Sequence, residues 1–114
     1  MIEIEISPGA YGGGGYLRTT GHAAHDICLA VSVLEEALSA NLDGLDGLRL
    51  RRTVRDGSYD LRWNRSGRHG SEAMVTANRQ AGFVYRALQA LQRAHAHEVS
   101  VVWKRPAEQR AERS

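Results

Sequence analysis

The chain has 114 residues, a formal net charge of +2, and 42% hydrophobic against 25% charged residues. That is the length of one domain, enough for a core without disulfide or metal staples, in an ordinary globular composition. A charge of +2 gives no ground for a nucleic-acid partner, and no apolar run is long enough to span a membrane.

Met1 to Ser7 reads MIEIEIS, an alternation and not the apolar stretch of a signal peptide. Cys28 is the sole cysteine, which excludes an internal disulfide and points to a reducing compartment; a cytoplasmic location is expected. Every basic residue except Lys104 is arginine. A GC-rich coding sequence explains this most simply, although arginine also suits bidentate contacts to carboxylate or phosphate.

The alternation of Ile2, Ile4 and Ile6 with Glu3 and Glu5 predicts a strand over residues 2–6. Pro8-Gly9 breaks it. The glycine run Gly12 to Gly15 lacks the spacing of a phosphate-binding loop and reads as a flexible hairpin connection. Residues 16–20 read as the return strand. From Asp26 to about Ala40, Ile27, Val31, Leu34 and Leu38 lie on one helical stripe, with Asp26 as N-cap or first-turn acid.

Residues 48–55 alternate again, Leu48, Leu50 and Val54 against Arg49, Arg51 and Arg55, with Arg52 intruding on the apolar side. Asp56-Gly57 signals a two-residue hairpin turn, and Tyr59, Leu61 and Trp63 mark the partner strand. Arg49, Arg51, Arg55, Arg62 and Arg65 make an arginine face, read as a solvated strand surface or as a dock for an acidic partner or RNA.

A polar loop over 64–70 leads to a second helix, from Ser71 to Ala94 or His95. Its core stripe is Met74, Ala77, Ala81, Val84, Leu88 and Leu91. Val99, Val101 and Trp103 form a last strand. Lys104 to Ser114 reads as a polar, disordered tail. The order β-β-α-β-β-α-β predicts a single α+β domain over residues 1–103, a mixed sheet packed with two main helices on one or both faces.

The chemistry concentrates between Thr20 and Ser32, at the strand-to-helix junction. On a helix turning about 100° per residue, Cys28 lies roughly 90° from the centre of the apolar stripe. Ser32, Glu35 and Ser39 are nearest it in angle, so Cys28 belongs to the polar flank. It also falls at the helix start, where free N–H groups and the dipole favour a thiolate. His22 and His25 lie just upstream.

Three readings stay open on these residues alone: a nucleophile with an imidazole base, a small structural cysteine, or a metal site built from His22, His25 and Cys28. The last matches no usual zinc spacing. His69, His95 and His97 lie in loops or at a helix end.

The motif Gly21-His22-Ala23, followed by Asp26-Ile27-Cys28-Leu29-Ala30-Val31-Ser32, resembles the ribosomal-processing cysteine protease (Prp) family, which includes bacteriophage-related members. Looser similarity runs through Leu38 to Leu45, Gly57-Ser58-Tyr59, Gly82-Phe83-Val84, Ala87 to Leu91, and Val99 to Trp103. The resemblance implies a cysteine endopeptidase. It would cleave a short N-terminal extension from a ribosomal or phage structural protein, without cofactor or metal.

The resemblance assigns Cys28 as nucleophile and His22 as its base. Asp26, His25 and Ser32 would line or support the site, and the protein would be a homodimer. One departure stands out: only Ala23 to Ile27 separate His22 from Cys28, where the family carries a longer, glycine-containing loop. The shortening could alter specificity, leave another segment such as the Gly12 to Gly15 loop to cover the site, or leave a catalytically inactive binding or assembly protein.

Overall fold

A computed structural model describes residues 1–10 and 13–106. The elements are β1 (Ile2–Ser7), β2 (Gly15–Gly21), α1 (His25–Leu42), β3 (Leu48–Arg55), β4 (Ser58–Arg65), α2 (Gly70–Ala94) and β5 (Val99–Trp103). This is the predicted β-β-α-β-β-α-β order. The five strands make one sheet in the order β3-β4-β2-β1-β5. β1 pairs parallel with β5, and the other pairings are antiparallel, so the sheet is mixed.

Alternation decides which sheet face is covered. Ile2, Ile4 and Ile6 of β1, Leu17 of β2, Leu61 and Trp63 of β4, and Val99 and Val101 of β5 all point to one side. They join Ile27, Val31, Leu38 and Leu42 of α1 and Met74, Ala77, Ala81 and Leu88 of α2 in a single core. Both helices therefore lie on one face. The fully buried Ala77 and Ala81 offer only a methyl group each, which lets α2 approach its neighbours closely. The opposite face is polar and carries Glu3, Glu5, Arg18, Arg51, Asp60 and Arg62.

Several boundaries move from the sequence expectation. β4 reaches Arg65, because Leu48 and Arg49 of the edge strand pair with Arg65 and Asn64. α1 runs to Leu42, which is buried. Asp26 is a first-turn acid and not the N-cap; that position is Ala24, with no side-chain cap. Arg52 does lie on the helix side of β3. It is neutralised there by Glu36 of α1 at 2.7 Å and rests over the Tyr59 ring.

The glycine run is partly structural. Ala10 and Gly13 exchange backbone hydrogen bonds at 2.9 and 3.0 Å. Gly15 opens β2 beneath the Trp63 indole, where a Cβ would come within 2.2 Å of Nε1. Gly15 and Gly21 are the two ends of β2, so Gly13 to Gly15 sit at the far end of that strand from His22. They are too distant to cover Cys28. At the C-terminus the Lys104 N–H donates to the Ile6 carbonyl at 2.8 Å, which ties that residue to β1. Residues 107–114 of the expected disordered tail, and Gly12 of the glycine loop, lie outside the described residues.

Candidate active site

The site begins where β2 leaves the sheet. Gly21 has φ +99°, and a Cβ there would approach the Met1 carbonyl oxygen to 2.1 Å. Only glycine fits that left-handed, crowded position. Its N–H donates to the Gly57 carbonyl in the β3–β4 turn at 3.0 Å. His22 follows directly and its ring lies against that turn: a Cβ on Gly57 would be 2.9 Å from His22 Nε2.

Ala23 and Ala24 then lead into α1. The Ala24 carbonyl accepts the N–H groups of Ile27 and Cys28, each at 3.0 Å. Asp26 Oδ1 also accepts the Ile27 N–H at 3.0 Å. Cys28 is half-buried. Its Sγ accepts the Ala23 N–H and donates to the Ala23 carbonyl, both at 3.4 Å. The thiol thus rests on the peptide group that precedes the helix. Among the described residues, the backbone N–H groups of His25 and Asp26 make no hydrogen bond.

A cleft of about 190 Å³ opens beside this junction. Cys28 and His22 both line it, together with Ser32, Glu35, Thr19 and Tyr59. No hydrogen bond joins Cys28 to His22. His25 and Asp26 are exposed at the first turn of α1 and lie outside the cleft lining. His69 stands 3.9 Å from Asp46 and His95 3.7 Å from Glu98, both away from this cleft. Among the described residues no three His, Cys, Asp or Glu side chains converge to hold a metal ion, so the His22, His25 and Cys28 triplet does not form a ligand set.

The residue that sequence reasoning passed over is Glu35. It shares the angular position of Cys28 and Ser32 on α1, which reads as an exposed flank. In the structure that flank faces the cleft, and Glu35 is only 4% exposed. Burial pushes its carboxyl up to about 7, with help from the Glu36 charge; the Thr19 hydroxyl and Arg52 pull the other way. Burial likewise pushes the Tyr59 hydroxyl up to about 12. The signal was available: Glu35 lies two helical turns beyond Cys28 on the same line.

No family model matches the chain, and no curated protein matches it. Solved structures do. The S. aureus ribosomal processing protease Prp, crystallised with a covalently linked product peptide, superposes with a TM-score of 0.69 at 19% identity, over 91% of this chain and 100% of that one. The fold is that of Prp. The same protease with a substrate peptide gives a TM-score of 0.67 at 18% identity, with the same coverage. The SMU.848 protein of Streptococcus mutans gives 0.66 at 18% identity, over 92% of this chain and 95% of that one. On this fold, Gly21 ends β2, His22 and Ala23 lie in the connection that follows, and Cys28 falls in the first turn of α1.

Proposed function

We propose that this chain is a cysteine endopeptidase that removes a short N-terminal extension from a ribosomal or bacteriophage structural protein. One observation carries the reading: on a Prp fold, the sole cysteine and His22 line the same cleft. The chemistry follows from the geometry. The Cys28 thiol turns away from the Ala23 peptide, and His22 takes its proton as sulfur attacks the scissile carbonyl. His22 then gives that proton to the leaving amine, and water hydrolyses the thioester to free Cys28.

The open N–H groups of His25 and Asp26 supply donors at the helix start for the developing oxyanion. That gives these two residues a supporting role through their backbone, while Ser32 lines the cleft with its side chain. The resemblance further suggests a homodimer acting in the cytoplasm. No helix among the described residues is long and apolar enough to cross a membrane.

The test is incubation of the protein with candidate ribosomal and phage structural proteins, read by intact mass. A mass loss at the N-terminus is expected for wild type and not for Cys28→Ala. In parallel, His22→Ala should slow alkylation of Cys28 at neutral pH. If both proteins react with the profile of an ordinary thiol, pKa about 8.5, the activated nucleophile is wrong.

A second reading is a non-catalytic binding or assembly protein of the same fold. It is favoured by the short Ala23 to Ile27 connection and by the missing Cys28–His22 hydrogen bond. It predicts stable complexes with the same proteins, formed equally by wild type and Cys28→Ala, and no mass loss.

A further inference from the structure

The polar face of the sheet carries a row of arginines that the fold does not neutralise. Arg49, Arg51 and Arg55 of β3 stand on that face, in register with Asn64, Arg62 and Ser58 of β4. All three are exposed, and none has an ion pair among the described residues. Two carboxylates of the same face are already engaged: Asp60 with Arg62 at 2.8 Å, and Glu5 with Arg18 at 2.6 Å. Arg51 and Arg62 are direct cross-strand neighbours, and like charges so placed cost stability. Guarding a sheet edge calls for charge, but not for one sign on one face. An anion bound between these arginines relieves their repulsion.

The row is continuous with the Cys28 cleft. Arg55 and Ser58 line both that cleft and a shallow depression on the polar face, which also takes in Arg51 and Arg62. Arg51 and Arg62 then line a second depression together with Arg49 and Asn64. The track runs from the cleft around the end of the β3–β4 hairpin and along both strands. Asp56 follows Arg55 in the turn and offsets part of its charge, so the track is most positive at Arg49 and Arg51.

Spacing and chemistry select the occupant. Alternate residues of a strand lie about 6.6–6.8 Å apart. Arg49 and Arg51 therefore match carboxylates two residues apart on an extended peptide. A guanidinium holds a carboxylate through two parallel hydrogen bonds. Single-stranded nucleic acid asks for aromatic faces on which bases stack, besides positive charge. Among the described residues the aromatic of this face is Tyr16. It is 6% exposed and lies under Arg18 and Arg62, at 5.0 and 5.7 Å.

We propose that the polar face of β3 and β4 is a docking track for an acidic, extended segment of the protein cleaved at Cys28. Arg49 and Arg51 are its main contacts, and Arg55 links the track to the cleft. The docked segment lies away from the reacting bond and contributes binding, not chemistry. The inference rests on the endopeptidase reading in one respect, that the docked chain is a substrate.

Docking can be measured apart from cleavage. The probe is a capped, fluorescently labelled octapeptide of alternating serine and glutamate, titrated into Cys28→Ala protein and followed by anisotropy. Its serine–lysine counterpart and a uridine octanucleotide are the comparisons. The acidic peptide should bind at least about tenfold more tightly than either, and about 1 M salt should abolish the preference. Arg49→Glu combined with Arg51→Glu should weaken it at least about tenfold, through two lost pairs and two new repulsions. Arg79→Glu combined with Arg86→Glu makes the same change of net charge at exposed positions of α2. That control should alter the affinity by about twofold or less. For any protein that wild type cleaves, Arg49→Glu with Arg51→Glu should raise KM and leave kcat unchanged.

Equal binding of the serine–lysine peptide, tighter binding of the octanucleotide, no binding of the acidic peptide, equal losses in the two double variants, or an unchanged KM would overturn the proposal. Acidic-peptide docking lost only with Arg49 and Arg51, in a protein that cleaves no candidate, would instead count against the endopeptidase and leave the track standing.

Discussion

At the scale of single residues, Glu35 carries a price in stability that pH should reveal. Its carboxyl titrates at about 7 in the folded protein against an ordinary 4.5. The native state therefore holds the proton more tightly than the unfolded chain between those values. Stability is undiminished by this group below about pH 4.5, falls as pH rises, and carries the full penalty above about pH 7. The shift corresponds to about 3 kcal/mol at most. Glu35→Gln, which cannot ionise, should flatten that slope. The measurement is denaturant unfolding of both proteins between pH 5 and 8, and parallel profiles would show that Glu35 is not the group responsible.

At the scale of elements, the β3–β4 hairpin positions His22, the base in the proposed reaction. His22 directly follows the end of β2, but its ring lies against Gly57 in the turn of a different hairpin. Gly57 has φ +73°, so an alanine there is strained by about 1–2 kcal/mol and also brings its methyl within 2.9 Å of His22 Nε2. Gly67 supplies the control. It has the same φ of +73° and open space around it.

Both Gly57→Ala and Gly67→Ala should lose similar stability. Only Gly57→Ala should lower Cys28-dependent cleavage, by about 10²-fold if the imidazole moves by an ångström. Equal activity in the two variants would mean that the turn does not set the position of His22. The same hairpin places β3 at the sheet edge. There its exposed Arg49, Arg51 and Arg55 discourage pairing with another chain through its free backbone groups.

At the scale of the whole molecule, one sheet face is covered by two helices and the other is polar. A partner copy would therefore find apolar surface mainly on the helices. Leu29 and Val33, one turn apart on α1, are 56% and 59% exposed, and Phe83 of α2 is 64% exposed. The homodimer suggested by the resemblance should appear in sedimentation equilibrium as twice the 12.6 kDa chain mass. Glutamate at both Val33 and Phe83 should dissociate it if those side chains form the contact. A single 12.6 kDa species for the unaltered protein would overturn the dimer.

The sequence by itself determined the seven elements, their order, and the placement of the lone cysteine on the polar flank at a helix start. Those features rest on periodicity and turn chemistry, which act between residues close in the chain. Ile2, Ile4 and Ile6 need no partner to declare a strand, nor does Asp56-Gly57 to declare a turn.

The tertiary structure alone decided what that polar flank faces. Glu35 reads as an exposed helix acid, yet β2 and β4 bring Thr19 and Tyr59 against it and close it off from water. It also decided that His22 leans on Gly57, that Val54 is exposed because β3 is an edge, and that both helices share one face. Strand order sets each of these. It brings together residues far apart in sequence, and no local pattern along the chain encodes those neighbours.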